Sequence, residues 1–209
     1  MFHFPNLNVV YCPIERTASR STEAYLFAHD PDGYRLGSHR HSCSIEELNG
    51  LTPSKIYVST RHPWDRFCSM FAADKQKVDA GLSLYWNSFD EYIDFQLAHK
   101  DAPFLMENNS IVPNVFCPMH KVVDMQFVHF HRSQDSYLSI LSQSANVVKL
   151  PYEDIGLILS ESWVNSSIQF PNIGTTDNEA NALYSLERED KVKLIFENDY
   201  ISYSNWSVV

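Results

Sequence analysis

The 209-residue sequence predicts an α/β fold, a single domain over residues 1–209 with a central, mainly parallel sheet flanked by helices. Three observations carry that expectation. Short apolar, β-branched runs, NVVYC from Asn8 and KIYVST from Lys55, read as strands. Each is followed at once by a helix start, and strand and helix patterns alternate along the rest of the chain, the order that builds a parallel layer. The length suits one domain of ordinary size with a real core, and no repeat or low-complexity tract interrupts it.

Taken in order, Asn8 to Cys12 is the first strand, and Ser21 to His29 opens a helix preceded by hydroxyl residues suited to N-capping. DPDGYRLG, from Asp30, is rich in turn formers. SIEEL, from Ser44, sets Ser44 and Glu47 three apart as in a capping box, which predicts a short helix soon after His41. Lys55 to Thr60 is the second strand, and the helical spacing of WDRFCSMFAADKQKV starts behind Pro63, a residue tolerated at a first helical position. Phe89 to His99 reads as an amphipathic helix. A third strand is expected over Met125 to Phe130, a helix over Ser133 to Gln143, a fourth strand over Asn146 to Leu150 and a last helix over Glu187 to Tyr200. Ligands of such sheets sit at the carboxyl ends of strands, and the two unusual ends are Cys12 and Thr60.

A formal charge of −10 argues against non-specific nucleic-acid binding, which needs a broad basic surface, so an anion would be held by a few placed cations. The four cysteines (Cys12, Cys43, Cys68 and Cys117) are widely spaced without a CxxC pair, which favours free thiols and a reducing compartment; Cys12 and Cys68 read as buried small hydrophobes. MFHFPNLNVVYC has neither the basic start nor the long apolar stretch of a signal peptide, and no stretch approaches the roughly 18 apolar residues of a membrane span. A soluble cytoplasmic protein with no membrane partner is expected, in which the N-x-S matches at Asn108, Asn165 and Asn205 stay unglycosylated.

After the first strand the chain reads CPIERTASRSTEAYL. A strand, a turn of small and hydroxyl residues, a cation and a helix start form the arrangement that cradles a phosphate, because backbone N–H groups and the helix N-terminus face the anion. The turn lacks the GxxxxGK spacing of an ordinary nucleotide loop and contains no glycine, so an ATP or GTP site is disfavoured. An N-capped helix with two surface arginines is the plainer explanation. After the second strand comes TRHPWDRFCS, where Arg61 closes the strand and Ser69 follows eight residues later on the helix begun by Pro63. A planar guanidinium binds phosphate oxygens two at a time, so Arg61 and Ser69 are candidate ligands of one anion. Asp65 and Arg66 suggest a local ion pair, and Trp64 reads as a packing residue rather than an adenine stacker.

Together the two motifs resemble the sulfotransferases that use 3′-phosphoadenosine 5′-phosphosulfate (PAPS), particularly the carbohydrate-type and the bacterial or phage-like members. In that family a loop of the form PKTxxTS or PKTASRS holds the 5′-phosphosulfate. A strand ending in R, then N or D, then P, W or Y, D, R, two variable residues and S holds the 3′-phosphate. TRHPWDRFCS is similar to the second motif at nearly every position, with His62 at the Asn/Asp place, and RTASRS is similar to the first more loosely. FDEYIDF from Phe89, VDMQFVHFHRSQDSYLSIL from Val123 and the ending IFENDYISYSNW resemble later family segments faintly.

The resemblance implies a P-loop-like sulfotransferase fold and an enzyme that moves a sulfuryl group from PAPS to a hydroxyl or amine, leaving adenosine 3′,5′-bisphosphate (PAP). Arg61 and Ser69 would bind the 3′-phosphate. Arg16 would take the place of the loop lysine at the 5′-phosphate and the leaving oxygen, with Thr17, Ala18, Ser19, Arg20, Ser21 and Thr22 supplying amides, hydroxyls and a further cation. Such a transfer rests on positioning and electrostatics, and no metal is expected. Glu15 stands where the family usually has proline, so the loop needs Glu15 to turn away from the anion or to pair with an arginine nearby.

HRHSCSIEEL, from His39, resembles the family segment that carries the base, which gives His41 that role and His39 the second claim; histidine has the intrinsic pKa for it. A surface turn histidine is the plainer reading of His41. The pairs His39 with His41 and His129 with His131 also have the look of metal ligands but lack a third partner at diagnostic spacing, and His129 and His131 are expected to line or support the pocket. A small-molecule or carbohydrate acceptor is expected, its identity not readable from the sequence, with Asp101 to His120 (Phe104, Met106 and Phe116) and Ser160 to Asn178 as candidate walls. Two alternatives stand beside the enzyme: a PAP- or PAPS-binding protein without catalysis, and a nucleotide kinase, which the missing loop lysine disfavours.

Overall fold

The computed structural model describes residues 1–37, 40–41, 43–79, 86–102, 120–123, 126–129, 132–142, 146–163, 167–171 and 180–203, of which 77–79, 120–123 and 126–129 are described as backbone. In chain order the elements are β1 (Phe2–Phe4), β2 (Val9–Cys12), α1 (Ser19–His29), β3 (Tyr34–Arg35), a 3₁₀ turn (Ile45–Leu48), β4 (Lys55–Thr60), α2 (Pro63–Asp79) and α3 (Phe89–Ala98). They continue with β5 (His120–Val123), β6 (Gln126–His129), α4 (Gln134–Leu141), β7 (Val147–Pro151), α5 (Ile155–Ser162), α6 (Ala180–Leu183), α7 (Leu186–Ile195) and α8 (Glu197–Tyr203). The chain divides into two compact units. The first holds the described residues of Met1–Arg61 and Gln134–Thr175, the second those of His62–Ser133 and Thr176–Tyr203.

The first unit is built on a five-stranded sheet of order β3-β1-β2-β4-β7. β2, β4 and β7 run parallel, with Cys12 opposite Val58 and Thr60 opposite Pro151. β1 runs antiparallel to both β2 and β3, so the sheet is mixed and the expected mainly parallel sheet is corrected. The reason is chain length. β1 and β2 are joined by a tight turn closed by Asn8 N–H on the Pro5 carbonyl (3.2 Å), and so short a link permits antiparallel pairing alone.

Residues on both faces of β2 and β4 are buried, which is why their sequences read as continuous apolar runs. On one face Phe2, Phe4, Val9, Tyr11 and Tyr57 pack with Tyr25 and Leu26 of α1 and with Ile155 and Leu159 of α5. Burying each such side chain contributes about 1.5–3 kcal/mol. The turn at Asp30 packs so closely that a Cβ at Gly33 would lie 2.5 Å from the Phe4 ring.

The second unit is helical around Trp64, Phe67, Met70 and Phe71 of α2, Phe89, Tyr92 and Ile93 of α3, and Val192 of α7, with Phe196 behind it. It also holds an antiparallel pair, β5 with β6, in which His120 faces His129 in register. The strand expected near Met125 is β6, and it pairs in that hairpin instead of joining the sheet. The last expected helix is interrupted: α7 closes with Phe196 N–H on the Val192 carbonyl, and α8 starts at Glu197. Among the described residues no helix is long and apolar enough to cross a membrane.

Candidate functional site

The loop between β2 and α1 is the first component. It takes left-handed backbone at Arg16 (φ 65°) and at Ala18 (φ 60°), which is unusual for residues with a Cβ. Each such residue stores on the order of 1 kcal/mol, and residues held this way tend to sit at ligand clamps. Left-handed residues in a loop ahead of a helix are one way in which backbone N–H groups are turned toward an anion. Ala18 is the N-cap of α1, which has no side-chain cap hydrogen bond and no acidic residue in its first turn, so no carboxylate of the helix itself offsets its positive end.

A buried hydroxyl chain holds the loop. Thr17 Oγ1 donates to the Ile14 carbonyl (2.9 Å) and therefore accepts from Ser59 Oγ (2.7 Å), which in turn accepts from Tyr11 Oη (2.8 Å). The three residues are wholly buried, and burial moves the Tyr11 phenol up, toward its neutral form. Thr22 Oγ1 bonds the Ala18 carbonyl (3.2 Å). The hydroxyls of Thr17 and Thr22, expected to face the donor, thus shape the loop. Ser19 and Ser21 are buried at the start of α1, while Arg20 is exposed and Arg16 half-buried.

Arg61 is the second component. Its backbone is gripped by Gln134 at the head of α4: the Arg61 N–H donates to Gln134 Oε1 and Gln134 Nε2 donates to the Arg61 carbonyl, both at 2.8 Å. One side chain thereby does the work of a neighbouring strand where β4 ends. The Arg61 guanidinium lies over the Tyr152 ring (4.2 Å to its centre), and its Nη1 reaches the Arg16 carbonyl at 3.4 Å. Arg61 is 7% exposed, yet its Nε has no hydrogen-bond partner, and neither does the buried hydroxyl of Thr60 beside it. The guanidinium singled out after β4 therefore lies against the backbone of the loop after β2.

His41 is the third. Its Nδ1 lies 3.0 Å from the Pro13 carbonyl, which can only accept, so Nδ1 carries the proton and Nε2 is the basic nitrogen. Glu15, 4% exposed, turns its carboxylate to Tyr137, whose hydroxyl donates to Oε1 (3.1 Å), and Oε1 lies 3.7 Å from His41 Nδ1. Burial pulls the imidazole below its ordinary pKa, opposed by Glu15 and by the Pro13 carbonyl, and assisted by Arg40 and the N-terminal ammonium.

In the second unit, Ser69 lies on α2 and is 7% exposed. Arg66 is buried against Asp199 (3.6 Å) and donates to the Arg132 carbonyl (2.8 Å), an ion pair with a distant residue and not the local one with Asp65. Trp64 packs in the core and donates from Nε1 to the Ala180 carbonyl at 3.3 Å. His62 lies edge-on to the rings of Tyr200 and Tyr203. Cys12, Cys43 and Cys68 are buried, and a hydrogen bond that the Cys12 thiol donates to Cys43, with burial, pushes that thiol up. His39, His131, Cys117, the apolar residues Phe104, Met106 and Phe116, and most of the second acceptor segment lie outside the described residues. Among the described residues there is no group of three or more side chains suited to a metal ion.

Ser59, Gln134, Tyr137 and Tyr152 were not singled out by sequence reasoning. Gln134 follows Arg61 by 73 residues and Tyr137 follows Glu15 by 122, separations that no local pattern encodes. Comparison with models of known protein families, with curated proteins and with solved structures gave no significant match.

Proposed function

We propose that this chain is a PAPS-dependent sulfotransferase with a P-loop-like donor site. The observation that carries the reading is Arg61, a buried arginine with one donor unmade, held against the carbonyl of Arg16 in a loop that is left-handed at Arg16 and Ala18. Arg61 binds the 3′-phosphate of the donor. The 5′-phosphosulfate lies on the N–H groups of Thr17 to Ser21, with Arg16 and Arg20 as its cations, while the Thr22 N–H is taken by the Ala18 carbonyl.

In the transfer, the acceptor oxygen or nitrogen attacks sulfur in line and gives its proton to His41 Nε2. The bond from sulfur to the 5′-phosphate oxygen breaks, and the charge left on PAP develops toward Arg16. Preorganised donors aimed at that oxygen are the main source of rate in such displacements. The geometry of His41 favours catalysis over mere donor binding, because a pinned tautomer beside a carboxylate is what a general base needs.

Labelled PAPS offered with a panel of sugar and small-molecule hydroxyl and amine acceptors tests the proposal. Transfer that disappears in His41→Ala while PAP still binds is the expected result. Turnover unchanged in that variant removes His41 as the base. Tight PAP binding without transfer across the panel overturns the enzyme in favour of a donor-binding protein.

A further inference from the structure

We infer that Glu15 is the positioning carboxylate of His41, held in place by Tyr137, and that this trio lets a loop built for anions tolerate a negative charge. The inference rests on the sulfotransferase reading for its chemistry but on local geometry for its existence. A carboxylate buried in an arginine-bearing anion loop opposes the loop's purpose unless it is turned elsewhere and given partners. Glu15 has both. Its oxygens accept from the Tyr137 hydroxyl at 3.1 and 3.4 Å, and Oε1 stands 3.7 Å from the ring nitrogen of His41 that also donates to Pro13. The trio joins three stretches of the chain, the loop after β2, the segment before the 3₁₀ turn, and α4.

The consequence for catalysis is specific. At 3.7 Å the carboxylate does not replace the Pro13 carbonyl as acceptor; it stabilises the imidazolium formed when Nε2 takes the acceptor proton. Among the described residues, Arg40 and the N-terminal ammonium oppose that imidazolium, as does burial. Glu15 is thus the negative charge that keeps His41 basic enough to act. Tyr137 spends its one proton on Glu15 and fixes the carboxylate's direction.

The test uses the full chain with Glu15→Gln and Tyr137→Phe, read three ways: titration of the His41 ring nitrogens by ¹⁵N NMR, the pH profile of kcat, and PAP affinity. In Glu15→Gln the His41 midpoint moves down, and kcat falls by about tenfold to a hundredfold, as for weakened base catalysis. PAP affinity changes by less than about threefold, because the carboxylate is directed at His41 and Tyr137. Tyr137→Phe moves kcat and the midpoint the same way but less. An unmoved His41 midpoint in Glu15→Gln overturns the inference, and so does a kcat loss matched by loss of PAP binding. If the wild type transfers no sulfuryl to any acceptor, the sulfotransferase reading fails, and the NMR titration alone decides whether Glu15 governs His41.

Discussion

Arg61→Met separates two free energies that the wild-type side chain combines. Without donor, the guanidinium is 7% exposed, with the Tyr152 ring at 4.2 Å, a long bond of 3.4 Å to the Arg16 carbonyl, and Nε unpaired. A desolvated cation on an aromatic face is worth about 2 kcal/mol, and so long a bond adds at most about 1 kcal/mol. The unmade donor costs about 1–3 kcal/mol, and desolvating the charge adds to that. These terms oppose one another. Methionine keeps an unbranched apolar stem over Tyr152, so the unliganded protein should change by less than about 1 kcal/mol, or about 4 °C in Tm.

With PAP the balance shifts. A phosphate oxygen at Nε converts the deficit into a charge-assisted bond of about 1.5–3 kcal/mol, so its loss weakens PAP binding by about 10- to 150-fold. At a concentration of about 100 times the wild-type Kd, PAP stabilises the wild type by about 2.7 kcal/mol and the variant by about 0.3–1.3 kcal/mol. For 209 residues the wild-type gain corresponds to roughly 5–10 °C. Scanning calorimetry of both proteins with PAP, and with ADP as control, measures this. The reasoning is refuted if Arg61→Met loses more than about 3 kcal/mol without ligand, which would make Arg61 a structural residue, or if the PAP shift survives intact.

Ser59→Ala removes the middle hydroxyl of the chain from Tyr11 to Thr17 and leaves the Tyr11 hydroxyl short of its acceptor; urea unfolding should show a loss of about 1–3 kcal/mol. His41 is held below its ordinary value of 6.5 chiefly by burial, so from that value downward the unfolded chain takes up a proton that the fold resists. Stability therefore falls as pH drops through this window, and His41→Phe should flatten the fall in urea midpoints measured from pH 7 to pH 5. Asp199→Ala removes the carboxylate paired with the buried Arg66 and should cost about 3–5 kcal/mol, whereas Arg66→Met with Asp199→Leu should recover most of it, the result expected of a structural pair. With Cys117 replaced by serine, alkylation should wait on unfolding, because Cys12, Cys43 and Cys68 are buried; rapid modification of the native variant would contradict that burial.

What the sequence disclosed follows from how each element is made. β2 and β4 were legible because parallel strands buried in a sheet leave continuous apolar runs, and half-buried β7 by its β-branched start, Val147 and Val148. β1 has three residues and β3 two exposed ones, too few to show a period, so the antiparallel half of the sheet went unseen. A four-residue strand such as β6 carries no mark of its partner, and its pairing with β5 is a tertiary choice. The break in the last helix falls at Phe196, whose burial in the second unit's core outweighs the helical pattern running through it.

The site was legible where chemistry is written in residue type and opaque where it is written in contact. Arg16, Arg61 and His41 stand out in an acidic chain because each needs a reason to be where it is. The groups that give them geometry, Gln134, Ser59 and Tyr137, are ordinary polar residues whose roles exist only once distant strands and helices meet. The absence of glycine after β2 illustrates this most clearly. A glycine loop takes its shape at little cost, whereas this one bends left-handed at Arg16 and Ala18 and needs outside enforcement. The enforcement is the hydroxyl chain anchored in β4, the strand that also delivers Arg61. Loop shape and cation placement are therefore set by the same strand, and a disturbance of β4 at Ser59 is felt by both.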